Sequence, residues 1–166
     1  MTAPAIDLLV LGWGYSARHG AARLADDLAT TTVTARAPDK ADRLTAAGLE
    51  VIRLFEADAE ARLVEAVGRA THILASAGPS EAGDPFRDRL APAIRAAGAA
   101  GTLKWIGYLS TVGVYGNADG GLVDETTPPE PASERTRWRI AAETDWTALG
   151  AEAGVPVAIL RLAGIY

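Results

Sequence analysis

Cysteine is absent from this chain of 166 residues, which excludes a disulfide frame and a thiolate metal site. Histidine is almost absent, and His19 and His72 alone do not furnish a histidine-rich metal centre. No apolar run approaches the roughly 20 residues of a membrane span. The first residues, Met1-Thr2-Ala3-Pro4, lack the basic-then-apolar layout of a secretion signal. A basic stripe is missing too: 16 Lys and Arg stand against 21 Asp and Glu, a net charge of -5 that argues against nucleic acid as a partner. Repeats and low-complexity tracts are also lacking. What remains is a globular composition, 49% hydrophobic and 22% charged, in a single domain spanning 1–166 that is long enough to bury a real core. The expected setting is the cytoplasm, with neither a membrane nor nucleic acid as partner.

Apolar runs alternate with segments of helical period along the whole length. Strands are expected at Ile6–Leu11, Thr31–Ala35, Val51–Phe55, His72–Ser76, Leu103–Ser110 and Val155–Leu162. Between them helices are expected over Arg18–Leu28, from Pro38 to about Gly48, from Asp58 as N-cap through Val67 to a stop at Gly68, over Phe86–Ala99 with a kink or break near Pro92, and from Ser133 to Leu149. A polar loop rich in Gly, Asp and Pro fills Asn117–Ala132. Strands alternating with helices predict an α/β fold, a doubly wound, Rossmann-type, mostly parallel six-stranded sheet with helices on both faces. In such sheets the ligand lies beyond the carboxyl ends of the strands, near the point where the strand order reverses.

The stretch Leu8-Leu9-Val10-Leu11-Gly12-Trp13-Gly14-Tyr15-Ser16-Ala17 carries a G-x-G-x-x-A pattern at the first strand–helix junction. Gly12 permits the sharp turn, Gly14 lets backbone approach a pyrophosphate, and Ala17 keeps the helix close to the sheet. Tyr15 and Ser16 open that helix, whose free N–H groups and positive dipole end suit phosphate. The position of the pattern favours a dinucleotide site over an ordinary tight turn. The second strand ends at Arg36, 22 positions after Gly14, with Lys40 and Arg43 following. A carboxylate about 20 residues on would bond a ribose 2′-hydroxyl; a guanidinium instead pairs a 2′-phosphate through two parallel hydrogen bonds. Arg36 with Lys40 therefore points to NADP, with NAD the other cofactor and a solvated arginine the other reading. Asp58, beyond the third strand, is a helix cap and a candidate adenine contact.

Tyr108-Leu109-Ser110-Thr111-Val112-Gly113-Val114-Tyr115-Gly116 resembles the fifth-strand motif of the extended short-chain dehydrogenase/reductases, the NAD(P)-dependent sugar epimerases and dehydratases. The glycine turn, Leu74-Ala75-Ser76-Ala77-Gly78, Asp124-Glu125-Thr126-Thr127-Pro128 and Leu160-Arg161-Leu162-Ala163-Gly164-Ile165-Tyr166 extend the likeness along nearly the whole chain. It implies a dinucleotide cofactor, a small-molecule substrate of unknown identity, cofactor contacts at Ala75, Ser76 and Ala77, and dimers through the helices at Phe86–Ala99 and Ser133–Leu149. Trp138 and Trp146 lie near one face of the second of these, where core packing is their expected use. Thr111 takes the place of the Ser or Thr that bonds the substrate oxygen, or is simply a hydrogen-bonded strand end.

The family also carries a Tyr-x-x-x-Lys pair on the next helix, with a glutamate four residues after the lysine. Glu143 fits that glutamate, so Arg139 stands for the lysine and Arg135 for the tyrosine. Arginine is effectively never deprotonated near neutral pH. The resemblance is thus to the atypical branch, which keeps the cofactor fold and loses the catalytic pair; Arg139 is left to touch ribose or phosphate, and Arg135 and Arg137 read as a solvated helix face. The family continues with a substrate domain of about a hundred or more residues beyond the Gly-Ile-Tyr, so this chain is expected to represent the cofactor portion. Two functions stay open: an oxidoreductase or epimerase with a rearranged site, favoured by Ser110, Thr111 and Glu125, or a non-catalytic nucleotide-binding sensor or scaffold, favoured by the missing tyrosine.

Overall fold

In the computed structural model, which describes residues 6–164, the apolar run Ile6–Leu11 forms β1 at the centre of a six-stranded sheet. Around it in chain order come α1 (Tyr15–Arg23), β2 (Leu28–Ala35), α2 (Pro38–Ala46), β3 (Glu50–Arg53), α3 (Ala59–Arg69), β4 (His72–Ala75), α4 (Arg87–Ala99), β5 (Trp105–Thr111), a 3₁₀ turn (Val112–Tyr115), α5 (Glu134–Ala153) and β6 (Val157–Leu162). The strand order is β3-β2-β1-β4-β5-β6, and every neighbouring pair is parallel. The chain works outward from β1 in one direction, then returns to start the other half at β4. That reversal places a crevice at the carboxyl ends of β1 and β4.

The two-residue period of β1 divides the core. Leu8 and Val10 join Val33, Ala35, Ala17, Ala21 and Ala41 under α1 and α2. Leu9 and Leu11 face the other way, into a larger cluster with Ile73, Ile106, Tyr108, Leu63, Leu90, Ile94 and Trp146 under α3, α4 and α5. A strand buried on both faces has no polar side to show, hence the unbroken Leu8-Leu9-Val10-Leu11. Each such fully buried side chain contributes roughly 1.5–3 kcal/mol.

Several boundaries differ from those expected. Helix α1 begins at Tyr15 and stops at Arg23, because Asp26 and Asp27 are unfavourable at the negative end of a helix. Leu28 instead starts β2, pairing with Ile6. Asp58 precedes α3 but makes no side-chain cap. Gly68 does not end α3, which runs on to Arg69. Helix α4 passes through Pro92 without a break, since Pro92 is exposed and the carbonyl it leaves unbonded belongs to an exposed residue, Asp88. Helix α5 begins at a capping box in which Ser133 and Thr136 exchange bonds of 3.2 and 3.1 Å, and it continues past Leu149 to Ala153.

Helices α4 and α5 meet at Gly98. A Cβ there would lie 2.2 Å from the Ala153 carbonyl oxygen and 3.0 Å from Val155 Cγ2. Helix propensity alone favours alanine over glycine by about 1 kcal/mol, but backbone atoms cannot yield to the added methyl. Gly98→Ala is therefore expected to destabilise the fold by about 1–3 kcal/mol, read as a lower urea midpoint.

Candidate functional site

At the end of β1 the backbone turns at Gly12, whose φ of 98° belongs to glycine. The same residue is pressed by the crossover from β4: a Cβ on Gly12 would stand 2.8 Å from Ala77 N. Three hydrogen bonds knit the place together. Gly12 N donates to Thr34 Oγ1 at 2.7 Å, and Ser76 N and Ala77 N both donate to Leu11 O at 2.9 Å. Gly14 then caps α1 with extended backbone and no side-chain partner, and the first turn carries no acidic residue. The positive end of that helix thus has no cap and no carboxylate of its own. A Cβ on Gly14 would meet only Ser76 Oγ, 3.9 Å away, so the space in front of the turn is open to a ligand's phosphates.

That space is a cleft of about 720 Å³ over the ends of β1, β2, β3 and β4. Gly12, Gly14, Arg36, Lys40, Ser76 and Ala77 line it, all singled out in the sequence. Its remaining walls include Trp13, Thr34, Leu54, Gly78, Pro85, Phe86 and Arg89. Leu54, Pro85, Phe86 and Arg89 were not anticipated: they come from beyond β3 and from the start of α4, and only the helix's return over the cleft reveals them. Nothing in the local sequence marked them for this wall. Asp84 sets that opening, its Oδ1 accepting from Phe86 N at 2.9 Å and Arg87 N at 3.0 Å while its Oδ2 accepts from Trp146 Nε1 at 3.0 Å.

Other expected residues lie off the cleft wall. Ala17 is wholly buried between α1 and the sheet, Ala75 is buried within β4, and Tyr15 is 54% exposed beside His19. Ser16 is half-buried and Asp58 exposed, and neither lines the cleft.

The lining is electrostatically one-sided. Arg36, Lys40 and Arg89 border the cleft and no carboxylate does, among the described residues. Lys40 Nζ donates to Trp13 O at 2.6 Å, tying α2 to the glycine turn. Arg89 pairs with Glu60 of α3. Arg36 is exposed, and no ion pair or hydrogen bond to its side chain occurs among the described residues.

Beyond Gly78 lies a second polar group. Arg139 Nη1 donates to Leu109 O at 2.9 Å and to the Tyr108 hydroxyl at 3.2 Å. Its other terminal nitrogen stands 3.2 Å from where a Cβ on Gly78 would be, at the lip of the cleft. Tyr108 is wholly buried, and burial pushes its phenol up to about 12 despite the neighbouring guanidinium. Thr111 is half-buried and uses its Oγ1 to accept from Gly113 N at 3.1 Å, capping the 3₁₀ turn. It does not line the cleft.

Glu143, on α5, is 6% exposed and fully engaged. It accepts from the Ser110 hydroxyl and, at 2.7 Å, from Arg161 Nη2 of β6. Arg161 Nη1 in turn donates to the Tyr115 hydroxyl at 2.8 Å. The carboxylate beside Arg161 raises that guanidinium further above its already high range. This four-residue network fastens the end of β5, the 3₁₀ turn and β6 to one helix. Trp146, one turn beyond Glu143, is wholly buried, whereas Trp138 is half-buried. Ile165 and Tyr166 lie outside the described residues.

No family model matches the chain, and no curated protein matches it. Solved structures do. A conserved protein of unknown function from Silicibacter pomeroyi DSS is 38% identical, with 96% of this chain aligned to 53% of that one at a TM-score of 0.77. UDP-glucose 4-epimerase from Thermus thermophilus, solved with NAD, is 23% identical over 93% of this chain and 54% of its own, at 0.70. UDP-N-acetylglucosamine 4-epimerase from Bacillus cereus is 16% identical over 98% and 57%, at 0.71. The chain thus has the Rossmann fold of the NAD-dependent epimerases and short-chain dehydrogenase/reductases, and it spans about half the length of these structures. Among the described residues no helix is long and apolar enough to cross a membrane.

Removing Arg161 would strand Glu143, a buried carboxylate, without its ion-pair partner. Arg161→Met is expected to cost about 3 kcal/mol, and the double change with Glu143→Met to recover most of it. Urea unfolding of the parent and the two variants measures both.

Proposed function

We propose that this chain is the dinucleotide-binding half of an atypical member of the extended short-chain dehydrogenase/reductases, that it takes NADP in preference to NAD, and that the whole protein is an oxidoreductase or epimerase working without the usual tyrosine and lysine. The single observation behind the cofactor reading is the cleft itself. An uncapped helix N-terminus opens onto a space bordered by Arg36, Lys40 and Arg89 with no carboxylate on its described lining. Three cations and a helix dipole suit a ligand with a diphosphate at the turn and a third phosphate beyond β2. Arg36 is placed for that third phosphate, since it follows β2 and carries no other bond among the described residues. The nicotinamide of a bound cofactor supplies hydride exchange; the chain's residues bind, orient and shield it.

Arg139 takes over the lysine's binding role in this reading. Tyr108 and Leu109 hold one of its terminal nitrogens, and the other reaches the cleft at Gly78. Proton transfer is a different matter. Arg135 is exposed and permanently charged, Tyr108 is sealed in the core with a raised pKa, and the Tyr115 hydroxyl is occupied by Arg161. These three facts favour the second reading, a binding module that does no chemistry. Cytoplasmic location, a small-molecule substrate and dimers through α4 and α5 belong with either.

Fluorescence titration separates the possibilities. The full-length protein is expected to bind NADPH and to oxidise it against a panel of aldehydes and nucleotide sugars; tight binding with no turnover selects the binding module. Gly14→Val should abolish dinucleotide binding with little change in Tm, because the new side chain occupies the ligand's space rather than the protein's. Arg36→Asp should weaken NADPH by about ten- to a hundredfold, the worth of a charge-assisted bidentate contact, and leave NADH nearly unchanged. Equal losses for both would refute the 2′-phosphate role.

A further inference from the structure

Arg89 lies in the first turn of α4, on the wall of the cleft that Arg36 also lines. Its partner is not on its own helix. Nε donates to Glu60 Oε2 at 3.1 Å, a second bond runs from Nη2 to the same oxygen, and Nη1 reaches Pro85 O at 3.5 Å. Glu60 is in the first turn of α3, the helix that follows β3. The pair therefore bridges α3 and α4 beside the cleft, whose lining also includes Leu54 and Ala35. An ion pair this exposed, with side chains 46% and 52% accessible, does little for stability. Its position is better explained by a ligand.

We propose that Arg89 is a binding residue for the adenine end of the dinucleotide, its planar guanidinium covering the purine face while Glu60 and Pro85 O hold it in place. The proposal rests on the dinucleotide reading above but does not depend on the 2′-phosphate. The apolar floor at Ala35 and Leu54 suits one face of a purine, and a guanidinium suits the other, since the ring's π-face attracts a cation. Both of Arg89's bonds to Glu60 come from one edge of the guanidinium, which leaves its faces free to stack. Glu60 is thereby a positioning residue.

The test compares Arg89→Ala and Arg89→Lys with the parent chain, titrating NADPH, NADH and nicotinamide mononucleotide, which lacks the adenosine. Arg89→Ala is expected to raise the Kd for NADPH and NADH by the same factor, about three- to thirtyfold, and to leave the mononucleotide unaffected. Arg89→Lys, which keeps the charge but not the plane, should recover only part of the loss. A loss confined to NADPH would assign Arg89 to the phosphate and overturn the proposal. So would unchanged affinities, or full rescue by lysine. A parent chain that binds neither dinucleotide defeats the cofactor reading itself, an outcome told apart before any variant is made. Thermal melting of each variant controls for folding.

Discussion

A single backbone junction organises this molecule. Gly12 turns β1 out of the sheet at a φ only glycine takes readily, while Ala77 from the β4 crossover sits where a side chain would be. Thr34 of β2 accepts the Gly12 N–H, and Ser76 and Ala77 both donate to Leu11 O. Three strands that are far apart in the chain are thereby fixed to one another within hydrogen-bond distance, at the point where the strand order reverses. A β-carbon at residue 12 would push the β4 crossover off β1 and widen the turn. The amide groups opening α1 would then no longer face the cleft. Fold and cleft share the same constraint here, which is why the cleft sits where it does.

Charge is distributed in a way the net value hides. The chain is acidic overall, at -5, and most of its arginines are neutralised by neighbouring carboxylates, as in Arg43–Asp39, Arg69–Glu50 and Arg95–Glu152. Around the cleft this pattern lapses in part, since of the three cations there only Arg89 keeps a carboxylate partner, Glu60. Arg36 has no acidic partner among the described residues, Lys40 is held by a carbonyl rather than a carboxylate, and the helix α1 dipole goes uncapped. A local positive field on an acidic protein attracts a small anion into one place and leaves large polyanions repelled. This distinguishes the cleft from the smaller hollow lined by Asp7 and Arg69, where a carboxylate and a guanidinium share the wall.

Much of this was legible in the residues. The Leu8–Leu11 run read as a strand buried on two faces, and the glycines at 12 and 14 marked the turn that follows it. Sheet, crossover helices and the ligand edge follow from that. Boundaries were less legible because they depend on partners far along the chain: β2 starts at Leu28 because Ile6 is there to pair with it. The same blindness hid Arg89 and Phe86. Nothing local to residues 86–89 says that this turn of helix returns over β3. Asp58 erred in the other direction. It has the chemistry of a cap, but the ψ of 2° at that residue turns its side chain away from the first amides of α3, so only its carbonyl serves the helix.

Arginine at position 139 also has a structural logic. A lysine amine is a point charge that can approach a phenol and a ribose alike, whereas guanidinium is a planar fork that commits each edge to a direction. In this structure one terminal nitrogen is committed inward, to Leu109 O and the Tyr108 hydroxyl, with the guanidinium carbon 5.7 Å from that ring's centroid. The commitment gives buried Tyr108 a partner for a hydroxyl that would otherwise be desolvated without one. It also turns the remaining edge toward Gly78. Arginine at 139 and tyrosine at 108 therefore make sense together: the buried phenol accepts from the guanidinium and holds the cation in place.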